Sequence, residues 1–315
     1  MERVTGKQLL SDQKIWQIVS DKALIVSQAL QKNVRATLAQ APSEVIRVNS
    51  KVDIYNSQSE ETLLFDDGIQ VKSQKAERQP KARSIEAKKD QSTPKAKTPV
   101  VLTDVVMLQK STGAFVYITA PMNAEGEDLL SLATVVRAKV VQEYSDETRP
   151  LNIVAITDGA RVIRQRLLAI FGVAVTVILD WYHLCKKIRQ LMSMIAMNKA
   201  EKTRHLKFLI PQLWLGLVDN ALEYLRTQVT VRNQEKWSEL VGYLEKHDSE
   251  IINYNRRRLA GKTIGSGRME KGVDLTVGRR QKKKAMSWRP LGSKALSLLR
   301  IAELNSQWQQ LWFPA

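Results

Sequence analysis

The chain has little cysteine, few acids relative to its bases, and no long apolar run. Its single cysteine, Cys185, in 315 residues excludes a disulfide framework or a cysteine zinc site built within the chain. It also fits a reducing compartment. The longest clean apolar run, 171–179, is far short of the ~18–20 residues of a membrane-spanning helix. The N-terminal MERVTGKQLLSDQ lacks the apolar core of a signal peptide. A soluble cytoplasmic protein with no membrane partner is expected. No internal repeat is found. Gly261-Lys262-Thr263 echoes the end of a phosphate-binding loop, but Arg256 stands where that loop needs its first glycine, so no nucleotide triphosphatase is expected.

What is present is positive charge. With 43% hydrophobic and 26% charged residues the composition is that of a folded protein, which excludes dominant disorder. The length suggests about two domains. Against that ordinary background stand 49 Lys+Arg and 32 Asp+Glu, a formal charge of +17. Such a balance points to a polyanion, most simply nucleic acid. The charge is local. Segment 72–99 holds nine bases and three acids, and 256–300 holds fourteen bases and two acids. The remainder is close to neutral, so the basic surface is confined to two segments.

Hydrophobic periodicity gives the organisation. Residues 1–41 read as two short helices. The first follows an N-cap at Ser11 and carries Ile15, Trp16 and Val19. The second carries Ala23, Val26, Leu30, Val34 and Leu38, and Pro42 closes the segment. The pair is either a helix-turn-helix or a plain helical hairpin. TLLFDDGIQV, 62–71, reads as a strand, and 72–99 as a flexible basic insert. Two β-branched runs, 99–109 and 113–121, form a hairpin signal. Then come a helix at 128–142, a strand at 151–157, a helix at 160–171 and a strand at 173–179. A meander followed by alternating β and α implies a mixed α/β sheet with helices on its faces. Residues 183–254 read as helical throughout, and a last helix is expected at 293–308.

Three acids stand in special places. Asp67 lies within the first strand ahead of Gly68. Asp158 ends a buried strand ahead of Gly159. Glu270 opens a helix after Gly265-Ser266-Gly267. Strand ends of an open α/β sheet are where ligands bind. Carboxylates there suit Mg²⁺, which takes oxygen ligands from protein, phosphate and water. Two such ions about 4 Å apart activate the attacking oxygen and stabilise the leaving one. Each acid alone has a plainer reading: Asp-Gly is a common turn, and Glu270 complements a helix dipole. Asp66 and Asp67 are adjacent, and neighbours on a strand face opposite sides. Asp67 is preferred because a glycine follows it.

The motifs TDGA at 157–160, LDWYHL at 179–184 and IGSGRME at 264–270 together resemble the bacterial insertion-sequence transposases allied to the Mutator-like superfamily. The resemblance covers roughly 60–312. It implies a ribonuclease H-like mixed five-stranded sheet with an all-helical insertion, a fold that matches the element order read from periodicity. The implied organisation is an N-terminal helical segment at 1–50, shorter than the DNA-binding sequence such enzymes carry. A first part of the core follows at 60–182, then the insertion at 183–260, and the rest of the core with its basic helices at 261–315.

The resemblance further implies a DDE triad of Asp67, Asp158 and Glu270 that binds two Mg²⁺ ions, with Mn²⁺ able to substitute. The reaction would be DNA strand cleavage and strand transfer for an insertion sequence, in a cytoplasmic, nucleoid-associated homodimer or higher oligomer on double-stranded DNA. Asp180 and His183 match a Cys/Asp-x-x-His motif, in which His183 contacts DNA and Asp180 orients its neighbours. Gly68, Gly159, Gly265 and Gly267 give the site its support. Arg268, Lys271, Arg279, Arg280, Lys282, Lys283 and Lys284 are the expected phosphate contacts. Counting 3.6 residues per turn, Arg268, Lys271, Arg279 and Lys282 share part of one helix face. Trp181 and Tyr182 read as core. The alternatives are a truncated or inactive transposase-derived DNA-binding protein, and a nuclease of the same fold.

Overall fold

The structure, a computed structural model, describes residues 10–40, 47–75, 99–147 and 149–313. The expected basic insert lies outside them except at 72–75 and 99. A long helix, α1 Asp12–Gln40, precedes the sheet. Five strands form one mixed sheet: β1 Thr62–Lys72, β2 Val100–Gln109, β3 Phe115–Ile118, β4 Ile153–Thr157 and β5 Thr176–Leu179. Their spatial order is β3-β2-β1-β4-β5. The first three make an antiparallel meander. β4 runs parallel to β1, and β5 parallel to β4. Parallel neighbours require crossovers, and two helices supply them: α2 Leu132–Tyr144 and α3 Arg161–Phe171.

Side chains of period two give the sheet two apolar faces. Leu64, Val106, Leu108 and Ile153 pack against Val135, Val136, Ile163 and Leu167 of α2 and α3. Phe65, Ile69, Met107, Ile156 and Ile178 turn the other way. There they meet a series of helices: α4 Trp181–Ile195, α5 Lys199–Trp214, α6 Val218–Thr227, α7 Gln234–Lys246 and α8 Tyr254–Leu259. Asn198, Asn233 and Asn253 cap α5, α7 and α8, each accepting a backbone N–H. These helices share one hydrophobic cluster with the sheet. Trp181 behaves as core, its ring 4.8 Å from that of Trp214 and 4.9 Å from that of Tyr254. The chain returns through α9 Gly267–Val273, which runs on through a π-helical turn, Asp274–Gly278, into Arg279–Gln281. It ends in α10 Pro290–Leu304 and α11 Trp308–Trp312. Among the described residues no helix is long and apolar enough to cross a membrane.

Several expected boundaries move. The two N-terminal helices are one: α1 is continuous, so neither a helix-turn-helix nor a hairpin forms within it. It contains no glycine or proline to break it. Tertiary contacts also hold its middle, where the Ser27 hydroxyl donates to the Met122 carbonyl at 2.7 Å. Ser11 does accept the Lys14 N–H, at 3.2 Å, but Ile15 and Trp16 are exposed. α2 starts at Leu132 because Ser131 caps it. β5 starts late because Gly172, at φ +64°, ends α3, and a 3₁₀ turn follows. Ser306, at φ +62°, separates the last two helices.

A buried ion cluster joins the returning chain to the start of the sheet. The fully buried Arg257 places its guanidinium nitrogens 3.0 and 2.7 Å from the Glu61 carboxylate. Lys262 reaches the same carboxylate at 2.8 Å. Lys262, the lysine of the false phosphate-loop motif, is thus a structural cation. Removing one member of a buried pair leaves uncompensated charge. Glu61→Ala should therefore cost about 3–5 kcal/mol in urea denaturation, whereas Glu60→Ala, at an exposed neighbour, should stay within about 0.5 kcal/mol.

Candidate active site

Strand register builds the site. β1 pairs with β4 from Thr62↔Ile153 to Phe65↔Ile156, a constant offset of 91 residues. β4 pairs with β5 from Val154↔Thr176 to Thr157↔Leu179, an offset of 22. Carried past its last pair, the first offset sets Asp67 opposite Asp158. The second sets Asp158 opposite Asp180. The three aspartates thus form a row across three parallel strands, Asp67 in the middle of β1 and Asp158 and Asp180 just past the ends of β4 and β5. Asp67 has the facing of Phe65 and Ile69, whereas Asp66 shares the opposite face with Leu64. There Asp66 is buried and bound by Arg166. Asp67 is therefore the aspartate of β1 that faces Asp158.

The electrostatics agree with this placement. Burial raises the Asp67 carboxyl above the usual range, helped by the charges of Asp158 and Glu270 and opposed by the Gly68 N–H and His183. The Asp180 carboxylate raises His183, with burial opposing and Asp158 and Glu270 adding smaller contributions. Asp67 and His183 thus each lie within electrostatic reach of Asp158 and Glu270. The structure does not close them into a ligand shell. Glu270 is exposed, and among the described residues no three His, Cys, Asp or Glu side chains converge on a point that could hold a metal ion. The donor chemistry of Asp67 and Asp158 does fit a hard cation that takes one or two carboxylates, with phosphate and water completing its shell. In each, Oδ1 accepts a backbone N–H, from Gly68 at 2.7 Å and from Ala160 at 2.9 Å.

Asp180 ties the site together. It caps α4, with Oδ1 accepting the His183 N–H at 2.8 Å. That oxygen also lies 3.5 Å from His183 Nδ1. Its other oxygen accepts the N–H of Ser266, one residue before α9. The helix bearing Glu270 is thereby fastened to the end of β5. Burial opposes ionisation of Asp180, but the hydrogen bonds from His183 and Ser266 outweigh it and bring the carboxyl down to about 2.

Of the four expected supporting glycines, three have a neighbour closer than a Cβ would tolerate unless it shifts. At Gly265 a Cβ would lie 2.6 Å from the Tyr182 ring, and Gly159 sits at φ +81° against His247. At Gly68 a Cβ would lie 2.5 Å from Asp104 Oδ1. Gly267 is different: a Cβ there meets nothing within 4 Å, so crowding does not demand a glycine. Tyr182, expected in the core, is 62% exposed.

The basic residues need a correction too. Arg268, Lys271, Arg279, Arg280, Lys282, Lys283 and Lys284 are all exposed. However, the π-helical turn between Lys271 and Arg279 and the helix end at Gln281 interrupt the regular 3.6-residue period of a shared face. Arg279 is paired with Asp274 at 2.8 Å, and Arg268 lies over the Phe115 ring. Five of the fourteen bases in 256–300 pair with carboxylates: Arg257, Lys262, Arg279, Lys294 and Arg300.

Sequence reasoning missed residues that long-range contacts recruit. The Tyr254 hydroxyl donates to the Leu179 carbonyl at 2.7 Å. His247, against Gly159, is held by Glu250 at 2.6 Å, and Glu250 is held by Arg164 at 2.9 Å. Burial raises the Tyr243 hydroxyl, and the nearby Asp158 adds to the shift. None has a local motif; only a three-residue spacing links His247 to Glu250.

Asp180 gives a prediction with a definite sign. Its carboxyl is depressed in the folded state, so its stabilisation is present above the unfolded value near 3.9 and is lost as pH falls through about 2. Asp180→Asn should lose about 2 kcal/mol at pH 7 and flatten the decline in stability between pH ~4 and ~2, as read by urea titrations across that range. An unchanged acid limb would show that the clasp is not formed. Comparison of the chain with known protein families, curated proteins and solved structures finds no match.

Proposed function

We propose that the chain is a metal-dependent DNA strand-cleaving and strand-transferring enzyme, a DDE transposase of an insertion sequence with a ribonuclease H-like core. The observation that carries the reading is the row of Asp67 within β1 and Asp158 and Asp180 just past the ends of β4 and β5, with the helix of Glu270 fastened to the last. The strand order β3-β2-β1-β4-β5, with helices on both faces, supports the ribonuclease H-like reading. The exposed bases that follow Glu270 support DNA, both element ends and target, as the partner. Two-ended chemistry favours a homodimer or higher oligomer on that DNA.

In this reading Asp67 and Asp158, joined by Glu270, would hold two Mg²⁺ ions, whose chemistry when bound would be activation of the attacking oxygen and neutralisation of charge at phosphorus. Water attacks the phosphodiester at the element's end and breaks its P–O3′ bond, leaving a 3′-OH and a 5′-phosphate; the 3′-OH then attacks a target phosphodiester, whose own P–O3′ bond breaks to release a target 3′-OH. The chain's own contribution is positioning and electrostatics. Asp180 orients the His183 ring toward the acids and keeps α9 at the strand ends. His183 contacts the DNA beside the scissile phosphate. Arg268, Lys271, Arg280 and Lys282–284 bind flanking phosphates, which fix register without reading sequence.

With purified protein, Mg²⁺ and DNA bearing the element's ends, Asp158→Asn and Glu270→Gln should each lower cleavage on the order of 10²-fold or more while DNA affinity persists. Cleavage at full rate in either variant would overturn the reading. Replacing Lys282, Lys283 and Lys284 with Ala should flatten the salt dependence of binding, by up to about 0.9 in log–log slope for each phosphate no longer neutralised. One observation favours a second reading, a transposase-derived DNA-binding protein that does not cut: Glu270 is exposed and, among the described residues, forms no three-ligand shell. Wild-type protein that binds the DNA with Mg²⁺ and leaves it intact would establish that reading instead.

A further inference from the structure

The β1–β4 ladder ends at Phe65↔Ile156, two residues short of the facing Asp67 and Asp158. The ladder therefore aligns these residues, but no backbone pair between them fixes the separation of their carboxylates. A side-chain bridge lies at this height on the opposite face of the sheet. Asp66, the residue before Asp67, is 3% exposed. The Arg166 guanidinium binds its two carboxylate oxygens at 2.6 and 2.7 Å. A second guanidinium nitrogen binds Asp104 of β2 at 2.5 Å. Arg166 belongs to α3, which begins three residues after Asp158. The Asp158 carboxylate accepts the N–H of Ala160, the N-cap residue of that helix. The covalent and hydrogen-bonded path from Asp158 through α3 to Arg166 thus ends on the residue next to Asp67.

Stability alone does not account for this bridge. On this face of the sheet Leu64, Val106 and Leu167 belong to one apolar cluster, while the Asp104 end of the bridge is partly exposed. Replacing a buried ion pair by apolar residues of similar volume is often neutral or stabilising. A planar fork that spans two carboxylates on neighbouring strands does, however, give fixed geometry that a point charge lacks.

We propose that Arg166 is a positioning residue that sets the distance between Asp67 and Asp158 by fixing α3 to β1 and β2. The role rests on the cation-binding function given to those two aspartates above. Arg166→Met alone would strand a buried charge, so the main test is Asp66→Leu combined with Arg166→Met, alongside Arg166→Lys. The readouts are thermal unfolding, affinity for DNA without metal, titration of the DNA-free protein with Mn²⁺ alone, and single-turnover cleavage with Mn²⁺.

The double variant should unfold within a few degrees of wild type and bind DNA equally well. Its Mn²⁺ affinity and its cleavage rate should each fall at least tenfold. Arg166→Lys should fall in the same direction by a smaller factor. A folded double variant with unchanged Mn²⁺ affinity and cleavage would overturn the role. If the double variant does not fold, Arg166→Lys, which keeps the charge, decides by the same criterion. Wild-type protein that takes up no Mn²⁺ and cuts no DNA would instead overturn the functional reading, and this role with it.

Discussion

Parallel strands in register hold residues of equal height side by side on one face, about 4.8 Å apart. That constraint underlies the whole candidate site. Offsets of 91 and 22 residues carry Asp67, Asp158 and Asp180 into one row, although they lie far apart in the chain. A slip of one residue would turn any of them to the opposite face. The slip is opposed by the apolar alternation beneath it, where Leu64 and Phe65 face different cores. The hydrophobic effect therefore sets the register, and the register sets the acids.

Where the ladders end, charged side chains continue their work. Asp180 joins β5 to α4 and to the turn before α9. Glu61 joins the start of β1 to the chain leaving the helices, through Arg257 and Lys262. Asp66 joins β1 to α3 through Arg166. Each carboxylate is nearly buried, a position that is costly unless hydrogen bonds compensate it. Two or more donors do so at Asp180 and Glu61, whereas Asp66 is held by one Arg166 nitrogen and burial still raises its carboxyl to about 7. The polar contacts thus mark the seams between layers, and two of the three seams lie beside the acidic row.

The positive charge divides along similar lines. Part of the basic stretch near the C-terminus is internal structure, since Arg257 and Lys262 lie buried against Glu61. Arg279, Lys294 and Arg300 pair with acids at the surface. The bases without a carboxylate partner among the described residues include Arg258, Arg268, Lys271, Arg280 and the run 282–284. This smaller set is available to a polyanion.

Much of the fold was legible in the chain because it depends on local periodicity. The order of strands and helices follows from apolar alternation of period two and recurrence near 3.6. The three acids could be picked out because Asp67 and Asp158 each precede a glycine and Glu270 follows a Gly-Ser-Gly turn. The preference for Asp67 over Asp66 rested on Gly68, and the opposed faces of the two residues were expected from strand geometry. The continuity of α1, the later starts of α2 and β5 and the open surroundings of Gly267 were not legible. They depend on a cap, a left-handed glycine and empty space that propensity does not encode. Strand pairing, the partner of each buried charge and the roles of Arg166, His247 and Tyr254 were decided only by tertiary structure. Contacts between residues far apart in the sequence leave no periodic trace in the chain that makes them.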